Sequence, residues 1–303
     1  MEKENFKLET TRVYKIDGSL VVGKCAEEAI AVYRMKYPGN TIESVVLVKD
    51  CSGFGSAIMR VPVLGLDNTV QEVQLPKKKD FELVKNAVTD VDGNTYDGIR
   101  INGKLWMASN LRTTHFNNGR QIGRFASSDG GKKPYFEYPD VDKTKLNDYG
   151  LYYNFEAVNT GLLAPKGWHV PSKEEWEELF AFIAQHPEYN LDMDDKTAFG
   201  SHIAKAVCSK DGWHESSYKN NVGCEPEKNN STGFNLFPAG GWSAAGATSN
   251  RVGYSTYLWS SSPDASSADN AWYVYTRHSY AYMDQYANTM ANGRSVRCAR
   301  NDQ

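Results

Sequence analysis

Cysteine is scarce in this sequence, and its arrangement excludes the usual structural roles. The 303 residues include five cysteines, at Cys25, Cys51, Cys208, Cys224 and Cys298. An odd number, wide spacing and the lack of a Cys-x-x-Cys pair argue against a zinc site or a disulfide framework. We therefore predict reduced, mostly buried thiols, with a Cys208–Cys224 bridge as the alternative for a protein outside the cell.

Excess positive charge and long apolar runs are also missing. The chain has 34 Lys and Arg against 37 Asp and Glu, so its net charge is −3. Nucleic-acid binding needs a basic face, which argues against a nucleic-acid partner. No stretch approaches the length of a transmembrane helix, and the first eleven residues have no apolar core of a secretory signal. We expect no membrane insertion and, without a signal peptide, synthesis in the cytoplasm.

Sequence motifs of common catalytic sites are absent too. There is no His-Glu-x-x-His zinc motif, no Gly-x-Ser-x-Gly nucleophile turn and no complete phosphate-binding glycine loop. The six histidines are isolated from one another along the chain, which is typical of surface or core residues rather than metal ligands. The sequence therefore predicts no enzymatic activity and no catalytic residues.

Two acidic stretches have the composition of calcium ligands. Asp90, Asp92 and Asn94 match the opening of a calcium loop, but the glutamate required near the end of such a loop is missing. An Asp-Gly-Asn sequence between short strands is better explained by a tight hairpin turn. The second stretch contains Asp192, Asp194 and Asp195. We predict no cofactor, with structural calcium as the alternative.

Aromatic residues are abundant: 18 Tyr and seven Trp outnumber the 12 Phe. Tyrosine and tryptophan combine a large apolar face with a polar group, so they suit surfaces that bind a partner. They are also ordinary core residues, and composition alone does not distinguish the two roles. The positions of these residues along the chain are therefore needed to distinguish a binding surface from a core.

The patterning divides the chain into three parts. Residues 1–75 predict a small α/β module, with a hairpin at Asp17-Gly18, a helix over 26–37 and strands over 41–49 and 56–64. We expect this module to dock or to form homo-oligomers, with a plain folding unit as the alternative. Residues 76–87, with Pro76 and three lysines, are predicted to be a linker. Residues 88–303 are rich in turns, glycine and aromatic residues.

Helices are few in the third part, and one has a clear start signal. Ser172 and Glu175 have the spacing of a capping box, and four apolar residues follow at helical spacing. This pattern predicts a helix that ends near Gln185. A second, weaker helix is predicted over 196–208. Most of the remaining third part is expected to form short strands and loops, including a hairpin at Asn102-Gly103.

Tyrosine, aspartate and asparagine alternate with small or apolar residues between positions 280 and 292. In an extended chain this alternation places the two sets on opposite faces. One face then carries residue types favoured in antibody-like binding surfaces. The alternative is a strand pair with a wet outer face, where β-propensity alone favours tyrosine. We predict a ligand-binding surface consisting of Arg251, Tyr254, Tyr275, Arg277, His278, Tyr280, Tyr282, Asp284, Tyr286, Asn288 and Asn292.

Eight stretches in order and at similar spacing resemble one known domain family. They are DVDGNTY at 90–96, LWMASNL at 105–111, GLYYNFEAV at 150–158, PKGWHVPSKEEW at 165–176, STGFNLFPAGG at 231–241, LWSSS at 258–262, NAWYVY at 270–275 and SVRCAR at 295–300. Residues from about 88 to 301 thereby resemble the Fibrobacter succinogenes major paralogous domain, common in Bacteroidetes-type genomes.

This resemblance implies a fold related to the C-type-lectin-like and formylglycine-generating-enzyme-like folds. The expected architecture is an α+β domain with a twisted antiparallel sheet, one or two helices and long loops, preceded by the small α/β module. The resemblance also implies a core that includes Trp106, Trp168, Trp176, Phe234, Trp259, Trp272 and Val296.

A looser resemblance bears on function. Proteins diversified by retroelements often end in a C-type-lectin-like domain, and adenine-directed variation enriches the Asn, Tyr, Ser, Asp and His that are abundant over 273–292. We therefore expect a non-enzymatic display protein that binds a protein or glycan on a cell surface. It would be phage-borne or retroelement-diversified, and incorporated in a virion or a cell-surface assembly.

Two alternatives remain from the sequence. The first is a structural surface or fimbria-tip subunit whose N-terminal module polymerises or docks. The second is a formylglycine-generating-type oxidase. The oxidase requires a reactive cysteine pair or a metal-histidine site, and the sequence shows no equivalent that can be identified.

Overall fold

A computed structural model describes residues 80–186 and 203–301, together with the backbone of four strands nearer the N-terminus. The chain divides into two compact units, of which the first ends at Lys79 and the second comprises Asp80–Asn301. In the described residues, no helix is long and apolar enough to cross a membrane.

The first unit contains a four-stranded antiparallel sheet. Its strands are β1 (Thr11–Tyr14), β2 (Leu20–Val21), β3 (Ser44–Lys49) and β4 (Ile58–Pro62), in the order β2-β1-β3-β4. The pairing of β1 with β2 confirms the hairpin predicted around Asp17-Gly18. The helix predicted over 26–37 lies outside the described residues.

The second unit is rich in strands and has few helices. Its strands are β5 (Leu83–Thr89), β6 (Thr95–Ile101), β7 (Lys104–Met107), β8 (Gly123–Arg124), β9 (Tyr135–Glu137), β10 (Tyr152–Tyr153), β11 (Gly241–Ser243), β12 (Thr248–Asn250), β13 (Ser255–Pro263), β14 (Asn270–Arg277), β15 (Asp284–Thr289) and β16 (Ala299–Asn301). Its described helices are α1 (Leu146–Tyr149), α2 (Phe155–Asn159), α3 (Lys173–Ala184) and α4 (Ala204–Val207), with 3-10 turns at Ser127–Asp129, Lys143–Lys145 and Pro226–Lys228.

Two larger sheets organise this unit. One has the order β16-β7-β6-β5, and the other is the antiparallel sheet β13-β14-β15. The last strand of the unit, β16, pairs with β7, so the C-terminal end of the unit joins the sheet formed by its first three strands. The β6–β7 connection is the tight turn predicted at Asn102-Gly103, where both residues have a positive φ.

The predicted linker over 76–87 is wrong at its C-terminal end. Residues 83–87 belong to β5, which pairs with β6 through Leu83↔Ile99 and Val84↔Gly98. Val84 and Ala87 pack against the core, so this segment is held by the sheet. The charged residues before it mask the strand signal, because half of this edge strand faces solvent.

Buried tryptophans are prominent members of the core of the second unit. Trp106, Trp168, Trp176 and Trp259 are all less than a tenth exposed, and Phe234 and Val296 are buried completely, as the resemblance implied. Trp272 is the exception, because it is only half-buried and lies 5.0 Å beneath the ammonium of Lys173. The two faces of β13 and β14 contribute to two separate apolar clusters.

Helix α3 confirms the predicted capping box. The Ser172 hydroxyl accepts a hydrogen bond from the Glu175 backbone N–H at 3.2 Å, and the Glu175 carboxylate accepts one from the Ser172 N–H at 2.9 Å. Burial alone would raise the pKa of Glu175, but hydrogen bonds from His169, Ser172 and Lys104 outweigh burial and lower it to about 2. Of the helix predicted over 196–208, the described part contains α4, and residues 196–202 lie outside.

The stretch at 90–94 forms the turn between β5 and β6. Asp90 accepts hydrogen bonds from the Asp92 and Asn94 backbone N–H groups and from the Tyr96 hydroxyl. Asp92 accepts hydrogen bonds from Thr114 and lies 2.6 Å from His115 Nδ1. The carboxylates therefore stabilise the turn, while the second acidic stretch, 192–195, lies outside the described residues.

Candidate ligand-binding cleft

A row of aromatic side chains crosses the sheet β13-β14-β15. The register places Tyr257 opposite Tyr275, Trp259 opposite Tyr273, and Tyr273 opposite Tyr286. Directly opposite residues share a face of the sheet, so these five rings lie side by side. The ring centres of Tyr275 and Tyr286 are 5.4 Å apart, and those of Trp259 and Tyr273 are 6.1 Å apart.

The hairpin of β11 and β12 stands against this aromatic face. Gly240 enters the hairpin with φ +67°, and a Cβ at that position would lie 2.1 Å from the Asn250 carbonyl oxygen, so only glycine fits. The Asn292 side chain accepts a hydrogen bond from the Ala244 N–H at 3.1 Å and ties the hairpin to the last segment of the chain. Trp242 pairs with Gly293 through two backbone hydrogen bonds.

An open cleft of about 520 Å³ lies between the hairpin and the sheet. Its volume falls within the usual range for small-ligand sites. Among the described residues, the lining contains no acidic residue, no lysine and no aliphatic side chain. It consists of Gly241, Trp242, Ser243, Asn250, Tyr257, Tyr273, Tyr275, Arg277, Tyr280, Tyr286, Asn288, Asn292 and Arg294.

Arg294 lies among the aromatic rings and is only 6% exposed. Its guanidinium carbon is 3.6 Å from the ring centre of Tyr273, 4.8 Å from that of Trp259 and 5.2 Å from that of Tyr257. In the described part of the chain, its side chain has no ion pair, and its buried Nε has no hydrogen-bond partner. Burial lowers the pKa of Arg294 to about 10, so the side chain remains protonated at neutral pH.

Arg277 and Trp242 also line the cleft. Arg277 is exposed, with its guanidinium carbon 5.6 Å from the Tyr275 ring centre and 5.2 Å from that of Tyr280. The indole N–H of Trp242 is buried, and no described residue accepts a hydrogen bond from it. The nearest acidic residue in the register, Asp284, is opposite Tyr275 but does not line the cleft.

The tyrosines of the cleft keep their hydroxyl protons. Burial raises the pKa of Tyr273, and burial together with the neighbouring Tyr280 and Asp284 raises that of Tyr275. Both hydroxyls are therefore neutral at physiological pH and can donate or accept hydrogen bonds. The cleft thus combines flat apolar faces, neutral hydroxyl and amide groups, and two positive charges.

The structure brings six of the eleven predicted site residues together. They are Tyr275, Arg277, Tyr280, Tyr286, Asn288 and Asn292. Tyr282 stacks on Tyr280, with ring centres 4.6 Å apart. Tyr254 lies elsewhere, between His214 at 3.8 Å and His278 at 5.3 Å, and Arg251 begins the turn that precedes it.

The predicted outward orientation is wrong for Tyr275, which is only 7% exposed. Its ring belongs to the aromatic row, and it forms a wall of the cleft instead of a freely exposed surface. The predicted alternation is also interrupted, because residues 278–283 form a loop between β14 and β15. In that loop Met283 is buried in the cluster on the other face of the sheet, whereas in β15 Tyr286 and Asn288 are exposed, as the alternation predicts.

Six cleft residues escaped sequence reasoning. They are the six side chains of Trp242, Ser243, Asn250, Tyr257, Tyr273 and Arg294, and Gly241 is a seventh lining residue that was not predicted. Tyr273 follows the same period of two as Tyr275 in β14, and this signal could have identified it. Arg294 shows no such signal, since it lies outside the strands, five residues before β16, and the residues that follow it, Ser295 and Val296, are fully buried.

The second unit is thus a sheet-rich α+β domain with an aromatic cleft near its C-terminus. Comparison with protein families matches residues 99–300 to the family described as the Fibrobacter succinogenes major domain. Because this match covers two thirds of the chain, the protein belongs to that family. Neither the curated proteins nor the solved structures gave a match.

Proposed function

We propose that this protein is a non-enzymatic binding protein that presents the cleft to a ligand on a cell surface. The observation that carries the proposal is the convergence of six predicted contact residues, from β14, β15 and the segments that follow them, on one open cleft. Tyrosines offer a large contact area at low entropic cost, while asparagine and serine offer adaptable hydrogen bonds.

The way in which the fold holds the cleft residues in place favours ligand recognition. Tyr273 and Tyr275 are less than a tenth exposed and are held by neighbouring rings, so their positions are fixed before a ligand arrives. Tyr286 is 51% exposed and Asn288 is also exposed, so these two remain available for contact. A rigid floor with an accessible rim reduces the entropy lost on binding.

The same division suits a C-type-lectin-like variable protein. In such a protein the rim must tolerate substitution while the scaffold stays folded. Tyr282, Tyr286 and Asn288 project from a loop and an edge strand, outside the buried tryptophan core. We infer that variation at these positions would change the ligand without disturbing the fold, as expected of a retroelement-diversified or phage-borne receptor-binding protein.

The oxidase alternative is less well supported by the described cysteines. Cys208 and Cys298 are free and fully buried, and burial raises the pKa of both thiols. A thiol reacts as its thiolate, which such an environment disfavours. Cys224 is also a free thiol, partly buried.

A binding assay on immobilised glycans and surface proteins tests the proposal. Fluorescently labelled full-length protein is compared with the double variant Tyr286→Ala, Asn288→Ala and with the control Tyr218→Ala, which removes a tyrosine that is 76% exposed and does not line the cleft. We expect the double variant to lose about tenfold or more in affinity for a retained ligand, because rim aromatic residues are typical hot spots. Tyr218→Ala should bind like the wild type.

Two results would contradict the proposal. One is that the full-length protein retains none of the glycans and surface proteins offered. The other is that the cleft double variant and the Tyr218→Ala control bind equally well, which would move the site elsewhere.

A further inference from the structure

Arg294 is a buried cation whose charge nothing in the described residues balances. Removing a charged group from water costs several kcal/mol, and proteins usually recover this with an ion pair or hydrogen bonds. Arg294 has ring faces around it instead, at 3.6 to 5.2 Å from its guanidinium carbon. Those rings stabilise the cation but accept none of its N–H donors in conventional hydrogen bonds.

Arg294 and Trp242 both line the cleft, and the buried Arg294 Nε and Trp242 indole N–H have no acceptor among the described residues. A guanidinium presents five donors in a rigid fork that matches the two oxygens of a carboxylate or a sulfate. A ligand oxygen anion in the cleft would therefore balance the charge of the Arg294 guanidinium.

The local charge points to the same class of ligand. The lining has two arginines and no acidic residue, within a chain whose net charge is −3. Arg277 lies exposed at the rim, above Tyr275 and Tyr280, where it can attract an anion before contact. This cleft is therefore positive in a protein that is negative overall.

The remaining lining favours a sugar over a peptide. A peptide side chain binds best in an aliphatic or deep apolar pocket, and this cleft has no aliphatic wall. It offers open tyrosine and tryptophan faces, on which the C–H face of a sugar ring can pack. Asn250, Asn288 and Ser243 add neutral groups that can bind sugar hydroxyls.

We propose that the cleft binds an acidic saccharide, whose carboxylate or sulfate pairs with the Arg294 guanidinium while its ring packs on the tyrosines. Arg277 contributes attraction at the rim. The inference rests on the proposed binding function and specifies its ligand class.

The test uses full-length protein on an array of sialylated, uronic-acid-containing and sulfated glycans, each printed beside its neutral counterpart. We expect retention of acidic members over their neutral counterparts by about tenfold or more, as for a paired guanidinium. The separate carboxylate and sulfate members distinguish the two sources of the anion. Acidic peptides printed on the same array represent the competing ligand class.

Variants assign the effect to the cleft. Arg294→Met keeps the approximate volume and should abolish the preference for acidic glycans. Asn288→Asp adds a negative charge at the exposed rim and should weaken acidic-glycan binding about tenfold. Asn118→Asp makes the same charge change at an exposed position outside the cleft and should have little effect.

The outcomes separate this inference from the proposed function. Retention of neutral glycans alone, or of acidic peptides alone, with loss in the Tyr286→Ala, Asn288→Ala variant, overturns the acidic-saccharide inference and leaves the binding function standing. Equal acidic-glycan binding by Asn288→Asp and Asn118→Asp also overturns it. If no array member binds and the cleft variants change nothing, both proposals fail together.

Discussion

Two buried arginines, three residues apart, have opposite surroundings. Arg297 lies in the scaffold and donates to the Asn110 side chain at 2.9 Å and to the carbonyls of Met107, Phe234 and Asn235. Arg294 lies at the cleft, and none of its side-chain donors has an acceptor among the described residues. The comparison teaches that a buried arginine either holds distant segments together or keeps unfilled donors, depending on whether the fold supplies acceptors.

The surroundings of Arg297 explain why it belongs to the scaffold. Its guanidinium joins the end of β7 and nearby Asn110 to the loop at residues 234–235, two segments that are far apart in sequence. Burial lowers its pKa to about 9, so it is charged at neutral pH and each hydrogen bond is charge-assisted. The fold is therefore arranged around this cation.

The largest expected effect comes from Arg297→Met. The substitution leaves three carbonyls and one amide oxygen without their donor, which should cost roughly 3–5 kcal/mol of unfolding free energy. Arg294→Met is the matched control, since it removes an unpaired charge and should leave stability unchanged or raise it by about 1 kcal/mol. Urea denaturation of both variants measures the contrast, and equal losses would break it.

Glu175 is a second charged group with hydrogen-bond partners, and it extends the comparison to the pH dependence of stability. The pKa of Glu175 is about 2 in the folded protein and 4.5 as a free side chain, so its contribution is complete above pH 4.5 and is lost as the pH falls toward 2. Glu175→Gln should lose on the order of 2–3 kcal/mol at pH 7. It should also show a weaker dependence of stability on pH in that range, measured by chemical denaturation.

The control for this prediction is Glu178→Gln. Glu178 pairs with the same Lys104 ammonium at 3.1 Å, but its side chain is 60% exposed. An exposed ion pair contributes about 0–1 kcal/mol. If both variants lost the same amount, the network around Glu175 would not be the cause.

The last prediction separates the floor of the cleft from its rim, and its rim variant Tyr286→Ala has the smallest expected effect on stability. Tyr275→Ala removes a buried ring from the aromatic row and should cost roughly 3 kcal/mol. Tyr286→Ala removes a half-exposed ring and should change stability by about 0.5 kcal/mol. Thermal and urea unfolding check the difference, and a large loss from Tyr286→Ala would place that residue in the scaffold.

Much of the scaffold was predictable because its signals are local. The capping box of Ser172 and Glu175, the Asn102-Gly103 hairpin and the burial of Trp176 follow from spacing within a few residues. The exposure of Tyr286 and Asn288 follows from the same kind of periodicity in β15. Prediction failed at residues 83–87, where the charged residues just before an edge strand have the composition of a linker.

The cleft itself was only half predictable. Tyr280, Tyr286 and Asn288 lie in the segment that the alternation marked, but Tyr257 and Trp242 come from strands with no comparable pattern. Tyr275 lines the cleft, but the prediction that its side chain faces outward is wrong. A repeat of every second residue predicts that two residues share a face of the strand, but it does not predict what packs against that face.

The sequence by itself determined the family, the strand-rich second unit, the capped helix and most of the tryptophan core, since turn chemistry and apolar spacing act between neighbours. Only the tertiary structure decided that Arg297 has acceptors for its hydrogen-bond donors and that Arg294 lines a cleft. Arg297 finds its acceptors at residues 62 to 190 positions away, and Arg294 meets the rings of β13 and β14. No local pattern encodes such encounters, because packing between distant segments sets them.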